Sequence, residues 1–341
     1  MEDHQSRESA TNGNAGTKRT VLAEPRGFCA GVVRAIAMVE RALDIHGPPV
    51  YVRKEIVHNR HVVAGLRRRG ARFVDSEEDV PEGAVCVFSA HGVSPLVRAN
   101  AAGRGLRVID ATCPLVSRVH QHARRGARDG RLVLLVGHAD HEETQGTRGE
   151  APDRTIVIET AADVDRLDLP ADTPVTYLTQ TTLSVDETAG VIERIRARFT
   201  DVAAPGADTI CYASQNRQNG VKSLARRCDL ILVVGARNSS NSLRMVDVAR
   251  EAGTRAHLVP DVSEFDEAWL RGATSVGVSS GASVPDVLVE RLVDRLAALG
   301  YGDITTDVTS VEDVDFAMPS SLAAGPGRAG GGTGTAQRDR A

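Results

Sequence analysis

Short runs of β-branched and aliphatic residues alternate along this chain with longer segments in which apolar residues recur every three or four positions. The alternation is typical of βαβ units and predicts an α/β protein with mostly parallel sheets. The predicted strands cover residues 20–23, 50–53, 84–89, 107–110, 132–137, 155–158, 175–179, 230–235, 256–259 and 275–279. The predicted helices cover residues 32–45, 62–69, 114–128, 185–199, 220–228, 242–251 and 284–299.

Polar clusters follow several predicted strands at the point where each strand ends. They are Ser89-Ala90-His91-Gly92, Gly137-His138, Thr179-Gln180-Thr181-Thr182, Asn238-Ser239-Ser240-Asn241 and Ser279-Ser280-Gly281-Ala282-Ser283. In open α/β sheets, ligands bind beyond the carboxyl ends of the strands and near helix N-termini. The sequence therefore predicts ligand chemistry at these clusters.

Three of the five cysteines stand in turn-like motifs between a predicted strand and a predicted helix: Cys29, Cys113 and Cys211. None has a Cys-x-x-Cys partner, and a thiolate near a helix N-terminus is electrostatically favoured. A three-cysteine shell leaves one coordination position of a metal centre open for catalysis. Cys86 and Cys228 lie in or beside strands and are predicted to be buried structural cysteines.

The length of 341 residues and the spacing of these cysteines predict three small α/β domains around a central site. We place the domains at residues 20–110, 111–209 and 210–300, each with one of the three cysteines, and a return segment at 301–319. The polar extension at residues 1–19 and the Gly-rich tail at 320–341 contain almost nothing to bury and are expected to be disordered.

Composition excludes several classes of partner. The net charge of −4 and the 3% aromatic content argue against a nucleic-acid partner. No stretch is long and apolar enough to span a bilayer, and the N-terminal residues do not form a secretory signal. An odd number of cysteines in such a chain favours a reducing compartment, so we expect a cytoplasmic protein without a membrane partner.

Four histidines lie near probable strand ends, three of them directly beside Gly or Asn: His58, His91, His138 and, three residues further on, His141. Anion binding and proton transfer are the favoured functions, because no compact zinc-ligand motif accompanies them. Glu143 is predicted to lie with His141 in a Gly-bounded loop, where it is either a solvated carboxylate or a general acid. Thr181 could hydrogen-bond such an acid and a substrate hydroxyl.

The run Asn238-Ser239-Ser240-Asn241-Ser242 opens a predicted helix. N-capping alone is the simpler interpretation, but the run supplies more hydroxyl and amide groups than one cap uses. Together with Ser283 it is predicted to form a phosphate cradle on helix N-termini. Neither a Walker motif nor a dinucleotide fingerprint is present, so ATP and NAD are not indicated.

These motifs together resemble those of the 4-hydroxy-3-methylbut-2-enyl diphosphate reductases, the iron–sulfur enzymes that end the methylerythritol phosphate route to isoprenoids. The resemblance extends from about Val21 to Pro319. It is carried by the stretches Pro-Arg-Gly-Phe-Cys-Ala-Gly-Val, Val-His-Asn-Arg, Phe-Ser-Ala-His-Gly-Val-Ser, Asp-Ala-Thr-Cys-Pro-Leu-Val, Thr-Gln-Thr-Thr-Leu-Ser-Val-Asp and Asn-Ser-Ser-Asn-Ser.

The resemblance implies a 4Fe–4S cluster at the centre of a pseudo-threefold arrangement, held by Cys29, Cys113 and Cys211, with one iron open to the substrate hydroxyl. It implies a proton donor, Glu143, acting with Thr181 and His141. The residues expected to contact the allylic diphosphate are His58, His91, His141, Thr181, Ser239, Ser240, Asn241 and Ser283. Isopentenyl and dimethylallyl diphosphate would be the products, and a one-electron carrier such as ferredoxin or flavodoxin would supply the electrons to a monomer or homodimer.

One position departs from the pattern that the resemblance implies. Proline is expected after His141, whereas Glu142 stands there, and this extra carboxylate could alter the rigidity of the segment or the pKa of the acid. Two alternative functions stay open on the sequence: a non-catalytic iron–sulfur sensor, which would need neither Glu143 nor the cradle, and a zinc-dependent hydrolase that uses the histidines.

Overall fold

Strands and helices alternate along the chain in the computed structural model, which describes residues 18–205 and 209–323. The strands are β1 (Arg19–Glu24), β2 (Val50–Arg53), β3 (Ala71–Val74), β4 (Val85–Phe88), β5 (Arg107–Asp110), β6 (Leu132–Val136), β7 (Thr155–Ile158), β8 (Val175–Thr179), β9 (Val202–Ala203), β10 (Leu230–Val234), β11 (Arg255–Val259), β12 (Ser275–Ser280) and β13 (Asp303–Val308).

The helices connect these strands. They are α1 (Ala30–His46), α2 (Arg60–Arg68), α3 (Pro95–Gly103), α4 (Pro114–Arg128), α5 (Glu142–Gly149), α6 (Ala161–Arg166), α7 (Val185–Arg198), α8 (Tyr212–Ala225), α9 (Ser240–Glu251), α10 (Asp286–Ala298) and α11 (Ser320–Ala323). Among the described helices, none combines the length and the apolar composition that crossing a bilayer requires.

The chain forms two compact units. The first, here the terminal unit, comprises residues 18–28, 182–185 and 210–312 of the described chain, and the second, the middle unit, comprises residues 29–181, 186–205, 209 and 313–323. The terminal unit contains one five-stranded parallel sheet in the order β11-β10-β12-β1-β13. The middle unit contains two four-stranded parallel sheets, in the orders β3-β2-β4-β5 and β7-β6-β8-β9. The prediction of a mostly parallel α/β protein is confirmed.

The sheet of the terminal unit is covered on both faces. Alternate residues of β10 point to opposite faces, so Leu232 packs with Leu292 of α10, whereas Val233 packs with Leu224 of α8 and Met245 of α9. Strands covered in this way are apolar throughout, and this explains the unbroken run Leu-Ile-Leu-Val-Val of β10. The polar residues that follow β10 and β12 therefore stand at the carboxyl ends of strands that are buried throughout.

Helix α4 connects the two sheets of the middle unit. It follows β5 of one sheet and packs its Val119 and Ala123 against Val133, Leu135 and Leu178 of the other. The segments that follow β4, β5, β6 and β8 therefore belong to one compact body. Those segments carry His91, Cys113, His141, Glu143 and Thr181.

Strand β1 belongs to a different sheet from the one that the predicted domain boundaries imply. It lies between β12 and β13 in the terminal unit, whereas residues 20–110 were expected to form one domain. The buried residues Val21 and Ala23 pack with α8, and Thr20 Oγ1 donates to the Tyr301 carbonyl at 2.9 Å, so distant parts of the chain specify this position. The predicted return segment supplies β13. The domain boundaries otherwise stay a prediction.

Several elements were not predicted: β3, β9, β13, α3, α5, α6 and α11. Helix α8 also begins at Tyr212, eight residues before the predicted start at residue 220. The tail predicted from residue 320 begins with α11, whose Leu322 is buried. Residues 1–17 and 324–341 lie outside the described residues. The disorder predicted for these two segments therefore stays a prediction.

Candidate active site

Each of the three predicted ligand cysteines occupies the N-cap position of a helix. Cys29 precedes α1, Cys113 precedes α4 and Cys211 precedes α8. At this position unpaired backbone N–H groups and the positive end of the helix dipole favour a thiolate. The N–H of Ser214 donates to Cys211 Sγ at 3.3 Å in this way. All three sulfur atoms thus occupy the same local structure, the N-cap of a helix.

Cys29 and Cys113 lie close together in the middle unit. A Cβ atom at Gly31 would lie 2.8 Å from Cys113 Sγ and 3.9 Å from Cys29 Sγ, so only glycine leaves room between the two thiols. Cys211 belongs to the terminal unit. Within residues 18–205 and 209–323, no three His, Cys, Asp or Glu side chains are grouped so that they could hold one metal ion.

The remaining cysteines have a different environment. Cys86 in β4 and Cys228 after α8 are buried, and burial raises the pKa of their thiols to about 12 and about 11, respectively. A thiol that stays protonated at neutral pH is a poor metal ligand. Their surroundings agree with the predicted structural role.

Three of the predicted histidines converge in the middle unit. The ring centroids of His58 and His91 are 4.2 Å apart in a stacked arrangement, and His141 meets both rings edge-on at 5.9 Å. His58 lies just before α2, His91 follows β4, and His141 is the N-cap of α5. His138 lies in the loop before His141, where its backbone N–H donates to Gln180 Oε1 at 3.1 Å.

Burial favours the neutral form of His91 and His141. Burial lowers the pKa of His141 to about 3, with a further contribution from His91 and His58. Burial also lowers the pKa of His91, again reinforced by His58 and opposed by Glu142. At neutral pH these two rings therefore present uncharged imidazoles to a ligand.

Glu143 is completely enclosed and paired with Thr181. It lies in the first turn of α5, so the predicted loop for His141 and Glu143 is wrong: His141 Nδ1 caps the helix by accepting the Glu143 N–H at 3.2 Å. Glu143 Oε1 accepts the Thr181 N–H at 2.6 Å, and Oε2 accepts the Thr181 hydroxyl at 2.9 Å. Burial raises the pKa of Glu143 to about 7, although both Thr181 bonds act in the opposite direction. The carboxyl can therefore donate a proton near neutral pH.

The neighbouring Gln180 fixes α5 against β8. Its Oε1 accepts from the His138 N–H and from Thr144 Oγ1, which lies 3.2 Å away. A Cβ atom at Gly137 would lie 2.8 Å from Thr144 Oγ1, so glycine is required where the helix crosses the end of β6. These contacts set the register that places Glu143 opposite Thr181.

The predicted phosphate cradle lies at one edge of the terminal unit. Ser239 is the N-cap of α9, and Ser240 Oγ accepts from Thr182 Oγ1 at 3.0 Å. A Cβ atom at Gly281, in the loop after β12, would lie 3.5 Å from Asn241 Nδ2, so this loop, which continues to Ser283, adjoins the helix N-terminus. Ser283 lies three residues before Asp286, the first residue of α10, and is buried.

Asn241 is the unsatisfied member of this cradle. Its side chain is 5% exposed, and neither Nδ2 nor Oδ1 has a hydrogen-bond partner among the described residues. A buried amide without partners is costly, so native proteins satisfy such groups with a ligand or with water. This observation favours ligand binding over N-capping alone.

Two buried polar residues of the protein interior were not predicted from the sequence. Arg217 of α8 is fully buried, pairs with Glu312 at 2.9 Å and donates to the Gly27 carbonyl at 2.7 Å, which fixes the turn that leads to Cys29. His120 of α4 pairs with Glu150 at 2.8 Å, and its ring lies beneath Gly92 and Gly146. Both lie in polar stretches of amphipathic helices, so the sequence pattern contains no signal that they are buried.

Comparisons with known proteins identify the family. The family model described as LytB protein matches residues 20–297. The chain is 56% identical to a 4-hydroxy-3-methylbut-2-enyl diphosphate reductase of Nocardia farcinica over 306 residues, 89% of this chain and 91% of the relative. It is equally similar, at 56% over 306 residues, to "4-hydroxy-3-methylbut-2-enyl diphosphate reductase 2" of Mycobacterium tuberculosis, which covers 89% of this chain and 91% of that protein.

A solved structure supports the same assignment. The structure of the E-1-hydroxy-2-methyl-but-2-enyl-4-diphosphate reductase from Plasmodium falciparum superposes with a TM-score of 0.88 at 35% identity, covering 90% of this chain and 97% of that chain. The chain is thus an enzyme of the oxidoreductase class. It belongs to the LytB protein family, and this membership decides against the non-catalytic sensor.

Proposed function

We propose that this chain reduces (E)-4-hydroxy-3-methylbut-2-enyl diphosphate to isopentenyl and dimethylallyl diphosphate, the last step of the methylerythritol phosphate route. Two electrons and two protons are consumed, the allylic C–O bond breaks, and water leaves. The names of the relatives support the substrate. The observation that carries the proposal is the enclosed Glu143–Thr181 pair, because expelling water from an allylic alcohol needs an acid that is protonated near neutral pH.

The diphosphate is bound by two groups of side chains in this proposal. The middle unit contributes His58, His91 and His141, whose rings are in mutual contact. The terminal unit contributes Ser239, Ser240, Asn241 and Ser283. Hydroxyl and amide donors at a helix N-terminus suit an anion, and Asn241 Nδ2, which has no partner among the described residues, would donate to a phosphate oxygen.

Glu143 delivers the proton to the leaving hydroxyl. Thr181 holds both carboxyl oxygens, so the acid has one orientation, and its hydroxyl oxygen has lone pairs left to accept from the substrate. His141, two residues earlier, caps the same helix and fixes the start of the segment that carries the acid. The enclosure that raises the pKa of Glu143 also excludes bulk water from the acid.

Cys29, Cys113 and Cys211 would hold a 4Fe–4S cluster. Sulfur donors at three helix N-termini, with Gly31 leaving space beside two of them, fit this group. When bound, such a cluster with one iron not ligated by protein supplies low-potential electrons and a Lewis-acidic contact. The electrons would come from a one-electron carrier such as ferredoxin or flavodoxin. A cytoplasmic monomer or homodimer remains the prediction.

The proposal is tested by turnover under anaerobic conditions. Protein from a host that assembles iron–sulfur clusters is mixed with (E)-4-hydroxy-3-methylbut-2-enyl diphosphate and dithionite-reduced methyl viologen, and products are separated by chromatography. We expect both isopentenyl and dimethylallyl diphosphate, and no product from the corresponding alcohol that lacks the diphosphate. Iron-loaded protein that leaves the diphosphate unreduced would show the proposal to be wrong.

A further inference from the structure

Two carboxylates accompany the stacked histidines of the middle unit. Glu55 Oε2 lies 3.2 Å from His58 Nδ1, and Glu142 Oε2 lies 3.3 Å from His91 Nδ1. The two imidazoles are stacked with centroids 4.2 Å apart and planes inclined by 21°. Each ring of the stack therefore has an acidic oxygen beside the same nitrogen.

This arrangement fixes where a neutral ring carries its proton. Glu55 Oε2 is within hydrogen-bond reach of His58 Nδ1, whereas His91 Nδ1 and Glu142 Oε2, although 3.3 Å apart, are not aligned for a hydrogen bond, so Glu142 acts on His91 through its charge. Because a carboxylate cannot donate, its negative charge beside Nδ1 favours the tautomer with the proton on Nδ1. The Nε2 atom then bears a lone pair. Because ionised phosphate oxygens also only accept, a neutral ring held in this tautomer repels a diphosphate at Nε2 instead of binding it.

We propose that binding of the diphosphate adds a proton from solvent to Nε2 of His91, and that Glu142 and Glu55 are positioning residues which stabilise the resulting imidazolium. The inference rests on the proposed function, since it assumes that these rings meet the diphosphate. No covalent bond other than the new N–H forms, and the proton comes from water or buffer. His91 is then a neutral ring in the empty enzyme and a charged anion ligand only when the diphosphate is bound.

The surrounding charges determine how many protons enter. Lys54 and Glu55 face the stack from the segment after β2, and His138, His141 and Glu142 face it from the segment that begins α5. His141 has a pKa of about 3 and stays neutral. A charge on one stacked ring opposes a charge on the other at this separation, so we expect about one proton per diphosphate near pH 8.

Glu142 is suited to this task because it remains ionised. Burial raises the pKa of Glu142, but the neighbouring imidazole of His91 and the positive charge of Lys54 contribute to an overall lowering of that pKa. A glutamine at position 142 would keep an acceptor oxygen and the side-chain shape while removing the charge. The substitution therefore separates charge stabilisation from packing.

Isothermal titration calorimetry counts the protons directly. Inorganic diphosphate is titrated into the anaerobic holoenzyme at pH 8 in Hepes and in Tris, whose ionisation enthalpies differ, and the dependence of the binding enthalpy on buffer gives the protons exchanged. The proteins compared are wild type, Glu142→Gln, Glu55→Gln and the control Glu82→Gln, an exposed glutamate of the same unit. The ligand's own protons contribute equally to every protein, so differences between the proteins belong to the site.

We expect the wild type and Glu82→Gln to take up about one more proton than Glu142→Gln, and Glu142→Gln to bind about tenfold more weakly at pH 8 with the difference shrinking toward pH 6. Equal proton uptake by the wild type, Glu142→Gln and Glu55→Gln, with diphosphate still bound, would overturn this inference and leave the proposed function standing. Failure of the wild-type holoenzyme to bind diphosphate would overturn the proposed site itself and this inference with it.

Discussion

At the scale of single residues, the neighbours Glu142 and Glu143 show how position on one helix turn decides chemistry. Burial raises the pKa of both carboxyls, but Glu142 faces His91 and has its pKa lowered overall. The Glu143 carboxyl accepts from the N–H and hydroxyl of Thr181, and burial raises its pKa to about 7. Adjacent helical residues point in different directions, so a Glu-Glu pair can supply one charge and one acid.

Replacing Glu143 by glutamine tests the acid. The folded-state pKa lies near 7, so the protonated form is lost as pH rises through this value, and wild-type turnover should fall with it. Glu143→Gln should lower kcat by about 100-fold or more and abolish this dependence on pH. Steady-state rates between pH 6 and 9 with reduced viologen provide the measurement, and Glu82→Gln is the control.

Glu143→Gln, which is expected to lower activity, is expected to raise stability above neutral pH. Because the pKa of Glu143 is higher in the folded than in the unfolded chain, where it is about 4.5, the wild type loses stability as pH rises from about 4.5 to about 7. Glu143→Gln should therefore unfold at a higher urea concentration than the wild type at pH 8, with a smaller difference at pH 5. A variant as active as the wild type at pH 7 would exclude Glu143 as the donor.

At the scale of secondary-structure elements, helix N-termini organise the candidate site. Cys29, Cys113, Cys211, His141 and Ser239 are all N-cap residues. Each places a polar or sulfur side chain where backbone N–H groups lack intrahelical partners. The same type of local structure therefore carries the side chains that we propose for cluster ligation, acid placement and anion binding.

The sequence predicted some of these helices and not others, for a physical reason. Helices α1 and α4 have apolar stripes and follow clear strands, so their cysteines were correctly placed between strand and helix. Helix α5 buries Thr144, Gly146 and Thr147 in place of aliphatic residues. Because hydrophobic periodicity is the main signal for an amphipathic helix, α5 was interpreted as a loop.

Substitution of Gly31 tests the cysteine pair at this scale. Alanine favours helices, but its Cβ at position 31 would lie 2.8 Å from Cys113 Sγ, closer than van der Waals contact. Gly31→Ala should lose iron during anaerobic purification and unfold with a free-energy loss of about 1–3 kcal/mol. Iron analysis and urea denaturation give the two readouts.

Gly190→Ala is the matched control, because this helical glycine of α7 is exposed and a Cβ atom added to it would have no neighbour within 4 Å. It should retain iron and gain up to about 1 kcal/mol of stability. Gly31→Ala protein with wild-type iron content and stability would mean that Cys29 and Cys113 tolerate displacement and do not act as a close pair.

At the scale of the whole molecule, the sequence pattern did not predict which strands pair with each other. The pattern identified ten strands of an α/β fold, yet β1 pairs with β12 and β13, more than two hundred residues away along the chain. Periodicity determines whether a segment forms a strand, whereas its partners depend on packing across the finished sheet. The motifs of the site were recognisable because the chemistry requires particular residue types, but the buried Arg217 and His120 that support them were not.

The assignment of three cysteines out of five is the central claim, and metal analysis of alanine variants tests it most directly. Each cysteine is replaced in turn, the proteins are purified anaerobically, and iron and acid-labile sulfide are measured per folded chain, with circular dichroism as the check of folding. We predict about four irons in the wild type, in Cys86→Ala and in Cys228→Ala, and fewer than half as many in Cys29→Ala, Cys113→Ala and Cys211→Ala. A full complement of iron in any of these last three, or its loss from folded Cys86→Ala or Cys228→Ala, would contradict the assignment.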